Sequence, residues 1–281
     1  MKTQCGHRFD LACFSACSAG QPLGSRRCAM CRQNPMPVTE VATGESLPDG
    51  FFPDNAFFDA CLSGNLLVVR EYLSAGANVN AAQENGWTAL MSAAQEGKTE
   101  VVKLLIENGA NVNAAQENGA TALISAAQEG KTEVADLLIK SGANVHACLS
   151  NAGTDNGWTA LMAAAQQGKT EVVKLLINNG AKIDAAKENG WTALMAAAQE
   201  GKTEVVKLLI NNDAKVNACV SNAGGFNGWT ALMSAAQNGH KEIVELLLAR
   251  GGCAGAKTAT GDIALFLAGK GNHWNVVRML I

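Results

Sequence analysis

The sequence predicts an all-α fold, a solenoid of about six to seven stacked helix pairs, preceded by a small cysteine-rich module. The first observation behind this prediction is a unit, NGWTALMSAAQEGKTEVVKLLIENGANVNAAQE, that begins at residue 85 and returns in near copies at 118, 156, 189 and 227. The regular return of one sequence unit along a chain is typical of repeat architectures. The second is that five of the nine cysteines and one of the four histidines lie in the first 33 residues.

Each unit contains two short helical patterns. TALMSAAQEG predicts a first helix that begins after Thr88 as its N-cap and ends at Gly97. TEVVKLLIENG predicts a second helix whose apolar stripe consists of Val101, Leu104 and Leu105. One pair this short cannot bury both apolar faces, so the units are expected to stack around a shared core.

Three regions follow from composition. Residues 1–34 form the cysteine-rich module, residues 35–53 read as a proline-rich linker, and residues 54–281 hold the repeats. Four phenylalanines near the start of the repeats are expected to close that end of the core, namely Phe51, Phe52, Phe57 and Phe58.

Charge and hydropathy exclude two classes of partner. A net charge of -3 argues against a general nucleic-acid binder, although residues 1–34 carry five basic side chains against one acid. No apolar run reaches the roughly 18 residues of a membrane span, and the N-terminus lacks the apolar run of a signal peptide. We therefore expect a cytoplasmic protein, without membrane contact, whose odd number of cysteines is reduced and partly metal-bound.

The repeat unit resembles the ankyrin repeat. Thr88-Ala89-Leu90-Met91 matches the start of that motif, and Gly109 to Asn113 matches its Gly-Ala-x-Val-Asn hairpin. The resemblance covers about 225 residues and implies a protein that binds protein partners through its hairpin fingers and concave helix face, and that catalyses nothing. Asp213 stands where the family has a helix-ending glycine, which predicts a locally weaker repeat.

A tryptophan precedes the capping threonine in most units. It is found at Trp87, Trp158, Trp191 and Trp229, with Ala120 as the exception. In ankyrin proteins this position commonly faces the ligand, and a row of indoles has the composition of binding hot spots. The alternative is that each indole packs against the next finger and was copied by duplication.

Two fingers are five residues longer than the others. HACLSNAGTDNGW and NACVSNAGGFNGW carry Cys148 and Cys219, which are expected to lie too far apart for a disulfide. Longer fingers either reach a partner or are tolerated insertions. The repeats contain no set of residues spaced for catalysis.

The first 34 residues have the ligand types of a zinc site. Cys28 and Cys31 form a Cys-x-x-Cys pair, and Cys5 with His7 forms a second pair. Two alternatives remain: a four-thiolate site that uses Cys13, Cys17, Cys28 and Cys31, or no metal at all.

This stretch also resembles the distal part of a RING zinc finger, through Cys5-Gly-His7-x-Phe and the later Cys28-x-x-Cys31-Arg32. The resemblance implies that Cys5, His7, Cys28 and Cys31 complete one zinc site. It implies that Asp10 and Cys13 are half of another, whose first Cys-x-x-Cys would precede Met1.

RING fingers are ubiquitin ligases that hold a charged ubiquitin-conjugating enzyme, and Arg32 matches their ubiquitin-positioning arginine. Ala29 replaces the usual proline, and no tryptophan occurs between Cys13 and Cys28. The sequence thus predicts a zinc-binding RING-like remnant joined to protein-binding repeats. The alternative is an active ligase whose repeats recruit the substrate.

We predict that residues 1–34 bind about one zinc ion through Cys5, His7, Cys28 and Cys31. Metal analysis of the purified protein should give about one zinc per chain, and Cys28→Ser should lose it. Two ions per chain, or full zinc content in Cys28→Ser, would contradict this ligand set.

Overall fold

The structure is a computed structural model that describes residues 38–39, 46–47, 55–150, 156–221 and 224–281. The predicted zinc module, Phe51 and Phe52 lie outside the described residues. Two short strands, β1 (Val38–Thr39) and β2 (Ser46–Leu47), pair antiparallel inside the predicted linker.

Fourteen α-helices follow in the described part of the chain, arranged as seven consecutive pairs. The first helices of the pairs are α1 (Asn55–Ser63), α3 (Ala89–Glu96), α5 (Ala122–Glu129), α7 (Ala160–Gln167), α9 (Ala193–Gln199), α11 (Ala231–Gln237) and α13 (Ala264–Lys270). The second helices are α2 (Leu66–Ser74), α4 (Thr99–Glu107), α6 (Thr132–Lys140), α8 (Thr170–Asn178), α10 (Thr203–Asn211), α12 (Lys241–Ala249) and α14 (Trp274–Leu280). The predicted all-helical repeat solenoid is confirmed.

The predicted helix boundaries are set by local chemistry. The Thr88 hydroxyl accepts a hydrogen bond from the Met91 backbone N–H, as an N-cap side chain does. Gly97 ends α3 in the left-handed region at φ 73°. Helix α4 buries only the stripe that contains Val101, Leu104 and Leu105, so it is amphipathic.

The chain divides into two compact units. Unit 1 comprises Met1–Glu117, Thr121–Leu123 and Glu133–Ala143. Unit 2 comprises Asn118–Ala120, Ile124–Thr132 and Asn144–Ile281.

The described core of unit 1 begins with aromatic side chains. Phe57 and Phe58 are buried, and the ring of Phe57 lies 5.7 Å from that of Tyr72. Cys61 is fully buried beside them on α1, and burial raises the pKa of its thiol to about 12. This cysteine is therefore an inert core residue.

Unit 2 consists of two helical layers. The first helices α7, α9, α11 and α13 pack side by side in chain order, and the second helices α8, α10, α12 and α14 form the other layer. The first helices are rich in alanine, and the six residues from Ala160 to Ala165 are all buried. Small side chains on every side let each first helix pack closely between its neighbours.

The fingers, which join one helix pair to the next, are held together by a close backbone approach. In the finger before α9, Gly190 follows Asn189 at φ 83°. The next finger crosses this turn: the Ser221 N–H donates to the Asn189 carbonyl at 2.7 Å. A Cβ added to Gly190 would lie 2.8 Å from the Cys219 carbonyl oxygen, so only glycine fits here.

Side-chain amides also link finger to finger. Asn217 donates to the Gly251 carbonyl at 2.9 Å and accepts from the Cys253 N–H at 2.8 Å. In the preceding finger the same position is Asp184, which accepts from the Lys215 N–H at 2.8 Å but, as a carboxylate, has no proton to donate. Asp213, four residues before Asn217 in the next finger, adopts φ 66°. A non-glycine residue in this left-handed region costs about 1 to 2 kcal/mol, and the locally weaker repeat expected from Asp213 stays a prediction.

At the base of each long finger the backbone is paired in the same way as at the base of a short finger. Cys148 pairs with Thr159, and Cys219 with Thr230, as Ala186 does with Thr192 in a short finger. Both cysteines are exposed and free, in agreement with the expected absence of a disulfide between them. None of the described helices has the length and apolar character needed to cross a membrane.

We predict that Gly190→Ala destabilises the protein more than Gly180→Ala. Both glycines have φ above 80°, but a Cβ at residue 180 meets nothing within 4 Å. Both variants should lose about 1 kcal/mol from the left-handed conformation, and Gly190→Ala a further 1 to 3 kcal/mol, roughly, from overpacking. Thermal unfolding should therefore show an extra loss of several degrees. Equal midpoints for the two variants would disprove the close approach.

Candidate functional site

The tryptophans sit at the finger roots, where the backbone fixes them. The backbone N–H of Trp191 donates to the Asn189 side-chain oxygen at 3.0 Å, and the backbone carbonyl of Trp191 accepts from the backbone N–H of Lys187 at 2.9 Å. Thr192 then caps α9. Every indole is thus held next to the start of a first helix.

The indole N–H groups of the four tryptophans that precede a capping threonine fall into two classes. Trp87 donates to the Ser92 hydroxyl at 2.6 Å, and Trp229 donates to the Ser234 hydroxyl at 2.8 Å. Five residues after Trp158 and Trp191 the serine is replaced, by Ala163 and Ala196 respectively.

Neither Trp158 nor Trp191 has an acceptor for its indole N–H within the described ranges, and both side chains are half-buried. Trp229, in contrast, is 5% exposed with its N–H satisfied. Trp87 and Trp229 therefore fit the packing interpretation, while Trp158 and Trp191 keep a hydrogen-bond donor for another molecule.

Trp191 and Trp229 line one cleft in unit 2 with a volume of about 250 Å³. We call it the aromatic cleft; its other lining residues are Asn189, Gln199, Val220, Phe226 and Gln237. Its polar side chains are all uncharged amides. The cleft thus combines an aromatic wall with neutral hydrogen-bonding groups, which is the usual character of a binding site for an uncharged group.

Phe226 comes from the second long finger. A 3₁₀ turn at Gly224–Phe226 brings it over Trp229, with ring centroids 5.5 Å apart and an edge contact. The backbone N–H of Trp229 donates to the Phe226 carbonyl at 2.9 Å, which fixes the turn. Phe226 is still 61% exposed. The longer finger therefore places an aromatic ring at the mouth of the cleft.

A positively charged side chain lies over Trp158, one repeat before the cleft. The Lys187 ammonium lies 5.1 Å from the Trp158 ring centroid, within cation–π range. Trp158 and Trp191 thus occupy the same position of consecutive repeats in unit 2, one beside a cation and the other in a neutral cleft.

A second cavity of about 250 Å³ lies between fingers of unit 2, and its lining includes His146, Cys148 and Lys182. It offers one imidazole and one thiol. In the part of the chain that the structure describes, no three His, Cys, Asp or Glu side chains come together to hold a metal ion.

The predicted site residues are therefore distributed as follows. Trp87 belongs to unit 1, while Trp158, Trp191 and Trp229 belong to unit 2, where the structure brings the last two into one cleft. The proposed metal and ubiquitin-positioning residues lie outside the described residues: Cys5, His7, Asp10, Cys13, Cys28, Cys31 and Arg32. Zinc binding stays a prediction.

Sequence reasoning missed Phe226, Val220, Gln199 and Gln237 as cleft residues. A signal existed for Phe226, because it is an aromatic residue three positions before Trp229 in a finger with an insertion. The glutamines carry no such signal, since glutamine recurs near the end of the first helix in five repeats, at residues 95, 128, 166, 199 and 237.

Comparison with known proteins agrees with this geometry. A family model described as ankyrin repeats (3 copies) matches residues 57–148 and 145–219, and one described as ankyrin repeats (many copies) matches 194–248. The crystal structure of the human ASB11 ankyrin repeat domain is similar at a TM-score of 0.71 and 27% identity, over 80% of this chain and 97% of that one. None of the curated proteins compared matches this chain.

The described chain thus consists of repeated helix pairs that are capped by threonine and glycine and joined by crossing fingers. The ankyrin family model matches more than half of the same chain. The chain belongs to the ankyrin repeat family, whose members generally mediate protein–protein interactions.

Proposed function

We propose that this protein recruits a protein partner and that the aromatic cleft of unit 2 is the centre of the contact. The observation that carries the proposal is the convergence of Trp191, Phe226 and Trp229 on one cleft, with the Phe226 ring 61% exposed. Phe226 packs against Trp229, which is 5% exposed, and aromatic residues in well-packed positions are enriched at interface hot spots.

The energetics favour an apolar contact with a polar rim. Covering the exposed part of Phe226 would contribute about 1 to 2 kcal/mol at the usual area coefficient. The amides of Asn189, Gln199 and Gln237 can hydrogen-bond to a partner without the cost of burying a charge. Trp229 needs no further partner, because Ser234 already accepts its N–H, so it serves as the rigid floor of the cleft.

We predict that Phe226→Ala weakens partner binding by about tenfold, since hot-spot truncations cost more than 1 kcal/mol. Phe266→Ala is the matched control, because Phe266 is 56% exposed and does not line the cleft. Double replacement of Trp158 and Trp191 by alanine should weaken partner binding and leave the thermal midpoint within a few degrees.

The measurement is quantitative mass spectrometry of proteins captured by the immobilised full chain and by each variant. The expected result is a protein that the wild type and Phe266→Ala retain and that Phe226→Ala loses. If no captured protein depends on Phe226, the cleft is not the interaction site. If the double variant unfolds, Phe226→Ala alone tests whether the cleft is the interaction site.

A second candidate function is ubiquitin transfer, which the resemblance of Cys5, His7, Cys28, Cys31 and Arg32 to the residues of a RING finger implies. In this hypothesis zinc would order residues 1–34 and the repeats would select the substrate. A RING ligase accelerates transfer by holding the conjugating enzyme and its ubiquitin in the reactive arrangement. Ala29 and the lack of a tryptophan between Cys13 and Cys28 remove side chains that form the groove for that enzyme in the proteins this stretch resembles.

We therefore predict little or no ligase activity from this chain. The assay is lysine discharge from a panel of ubiquitin-charged conjugating enzymes, with Arg32→Ala and Cys28→Ser as controls. A flat response across the panel is expected. Acceleration by the wild type that both substitutions abolish would establish the ligase and overturn the preference for a binding protein.

A further inference from the structure

Consecutive fingers are joined by a recurrent pair of hydrogen bonds, and this pair is missing at His146. Asn80 accepts from the Asn111 backbone N–H at 2.7 Å and donates to the Gly109 carbonyl at 3.0 Å. Asn217 makes the same two bonds to the finger that follows it. His146 occupies the equivalent position of the first long finger. Among the described residues, its ring makes no hydrogen bond.

The missing bonds leave two backbone groups of the next finger unpaired. They are the N–H of Lys182 and the carbonyl of Gly180, which correspond in position to those of Asn111 and Gly109. Within the described ranges neither group has a hydrogen-bond partner. A ligand that binds between these fingers can therefore use the Lys182 N–H without breaking a bond inside the protein.

A cavity of about 250 Å³ lies between the two fingers. We call it the finger cavity; its polar lining residues are His146, Cys148, Thr159 and Lys182. Thr159 is only 9% exposed, and its hydroxyl accepts from the Met162 backbone N–H at 3.3 Å. No described residue accepts the proton of that hydroxyl. The cavity thus has a buried donor in its wall that the protein itself does not use.

The charges of the finger cavity favour an anion. Lys182 adds an ammonium group, and neither aspartate nor glutamate lies in the lining. Lys182 forms no ion pair with any residue that the structure describes. Asp184, two positions later, accepts from the Lys215 N–H at 2.8 Å, so its carboxylate is directed at the finger on the other side. The Lys182 charge is therefore available to a ligand.

The number of charges selects the kind of anion. One ammonium, together with N–H and O–H donors, matches the single negative charge and the two oxygens of a carboxylate. A phosphate group carries almost two negative charges and would leave part of its charge unpaired. The finger cavity therefore suits a carboxylate better than a phosphate.

The finger cavity adjoins the aromatic cleft along the chain. Ala185 and Ala186 line the cavity, and Asn189 and Trp191, which belong to the same finger, line the cleft. One finger thus contributes to both, and a partner that covers this finger reaches an aromatic cleft on one side and a cation on the other.

From these features we propose that the finger cavity binds the carboxylate of an aspartate or glutamate side chain of the protein partner. The Lys182 ammonium, the Lys182 backbone N–H and the Thr159 hydroxyl donate to its oxygens. The role of His146 is to leave the Lys182 N–H unoccupied. The inference rests on the proposed function and names the chemistry of the partner at this second point of contact.

The test follows the backbone amide of Lys182 by NMR in the ¹⁵N-labelled full chain, while N-acetyl-glutamate N-methylamide is added at constant ionic strength. A saturable shift of this amide with a Kd of about 1 to 10 mM is expected, as for a single side chain. The glutamine analogue has the same shape without the charge and should leave the amide unshifted.

The decisive variant is His146→Asn, which gives the first long finger the amide that Asn80 and Asn217 provide elsewhere. It should raise the thermal midpoint by roughly 2 to 4 °C, because the bonds between fingers are restored. It should also weaken binding of the glutamate probe by about tenfold, because the Lys182 N–H is then occupied. A variant that gains stability while it loses binding separates a ligand site from a structural defect.

Lys182→Gln removes the ammonium and should weaken probe binding by about tenfold without lowering the thermal midpoint. Lys215→Gln is the matched control. Lys215 holds the same position in the next finger, but its N–H is already bonded to Asp184. This variant should leave probe binding at Lys182 unchanged.

Lack of a saturable shift at Lys182, equal shifts with the glutamate and glutamine probes, or unchanged affinity in both His146→Asn and Lys182→Gln would overturn the inference. Tighter binding of inorganic phosphate would overturn it too, as would a shift that requires zinc and that Cys148→Ser abolishes. The proposed function fails separately, when no captured protein depends on Phe226; if such capture persists while the glutamate probe does not bind, only the inference is wrong.

Discussion

The crossing of each Asn-Gly turn by the backbone of the following finger is the contact on which the rest of the structure depends. At Gly190 the two backbones approach so closely that a single added carbon would lie 2.8 Å from a carbonyl oxygen. Gly86 and Gly157 repeat this geometry in other fingers, with a positive φ and a neighbouring backbone within 3.0 Å of the missing Cβ. A helix pair cannot bury its apolar faces alone and must share a core with the neighbouring pairs. The contact between fingers fixes the distance at which neighbouring pairs do so.

The candidate site follows from that constraint, because the tryptophan comes directly after the crossing glycine. Once the finger distance is fixed, the indole positions in unit 2 are fixed with it, and a row of side chains repeats at the spacing of the helices. The second long finger adds the one element that the repeat does not provide. Its 3₁₀ turn carries Phe226 to the edge of Trp229 and turns a repeated surface into a particular cleft.

Much of the fold could be predicted from sequence, because its determinants are local. Thr88 and Gly97 act within a few residues of their position, and the structure confirms both. The cleft could be predicted only in part: the recurrence of tryptophan indicated Trp191 and Trp229, but not which indole N–H groups are satisfied. The Trp229 indole N–H is satisfied by a serine hydroxyl five residues later, at Ser234, whereas position 196 after Trp191 is alanine. Sequence alone does not show that a hydroxyl at this position lies within hydrogen-bond distance of the indole, because that depends on the three-dimensional path from the finger root to the helix.

The exchange of serine for alanine beneath the indoles also bears on how such a surface can diversify. The two side chains differ by one oxygen atom and both are buried here, Ser234 at 1% exposed and Ala196 at 2%. A substitution between them changes the buried side chain by one oxygen atom while it switches an indole donor between occupied and available. Duplicated repeats can thus acquire different ligand preferences through hidden positions, and a comparison of their outer residues alone would count them as identical.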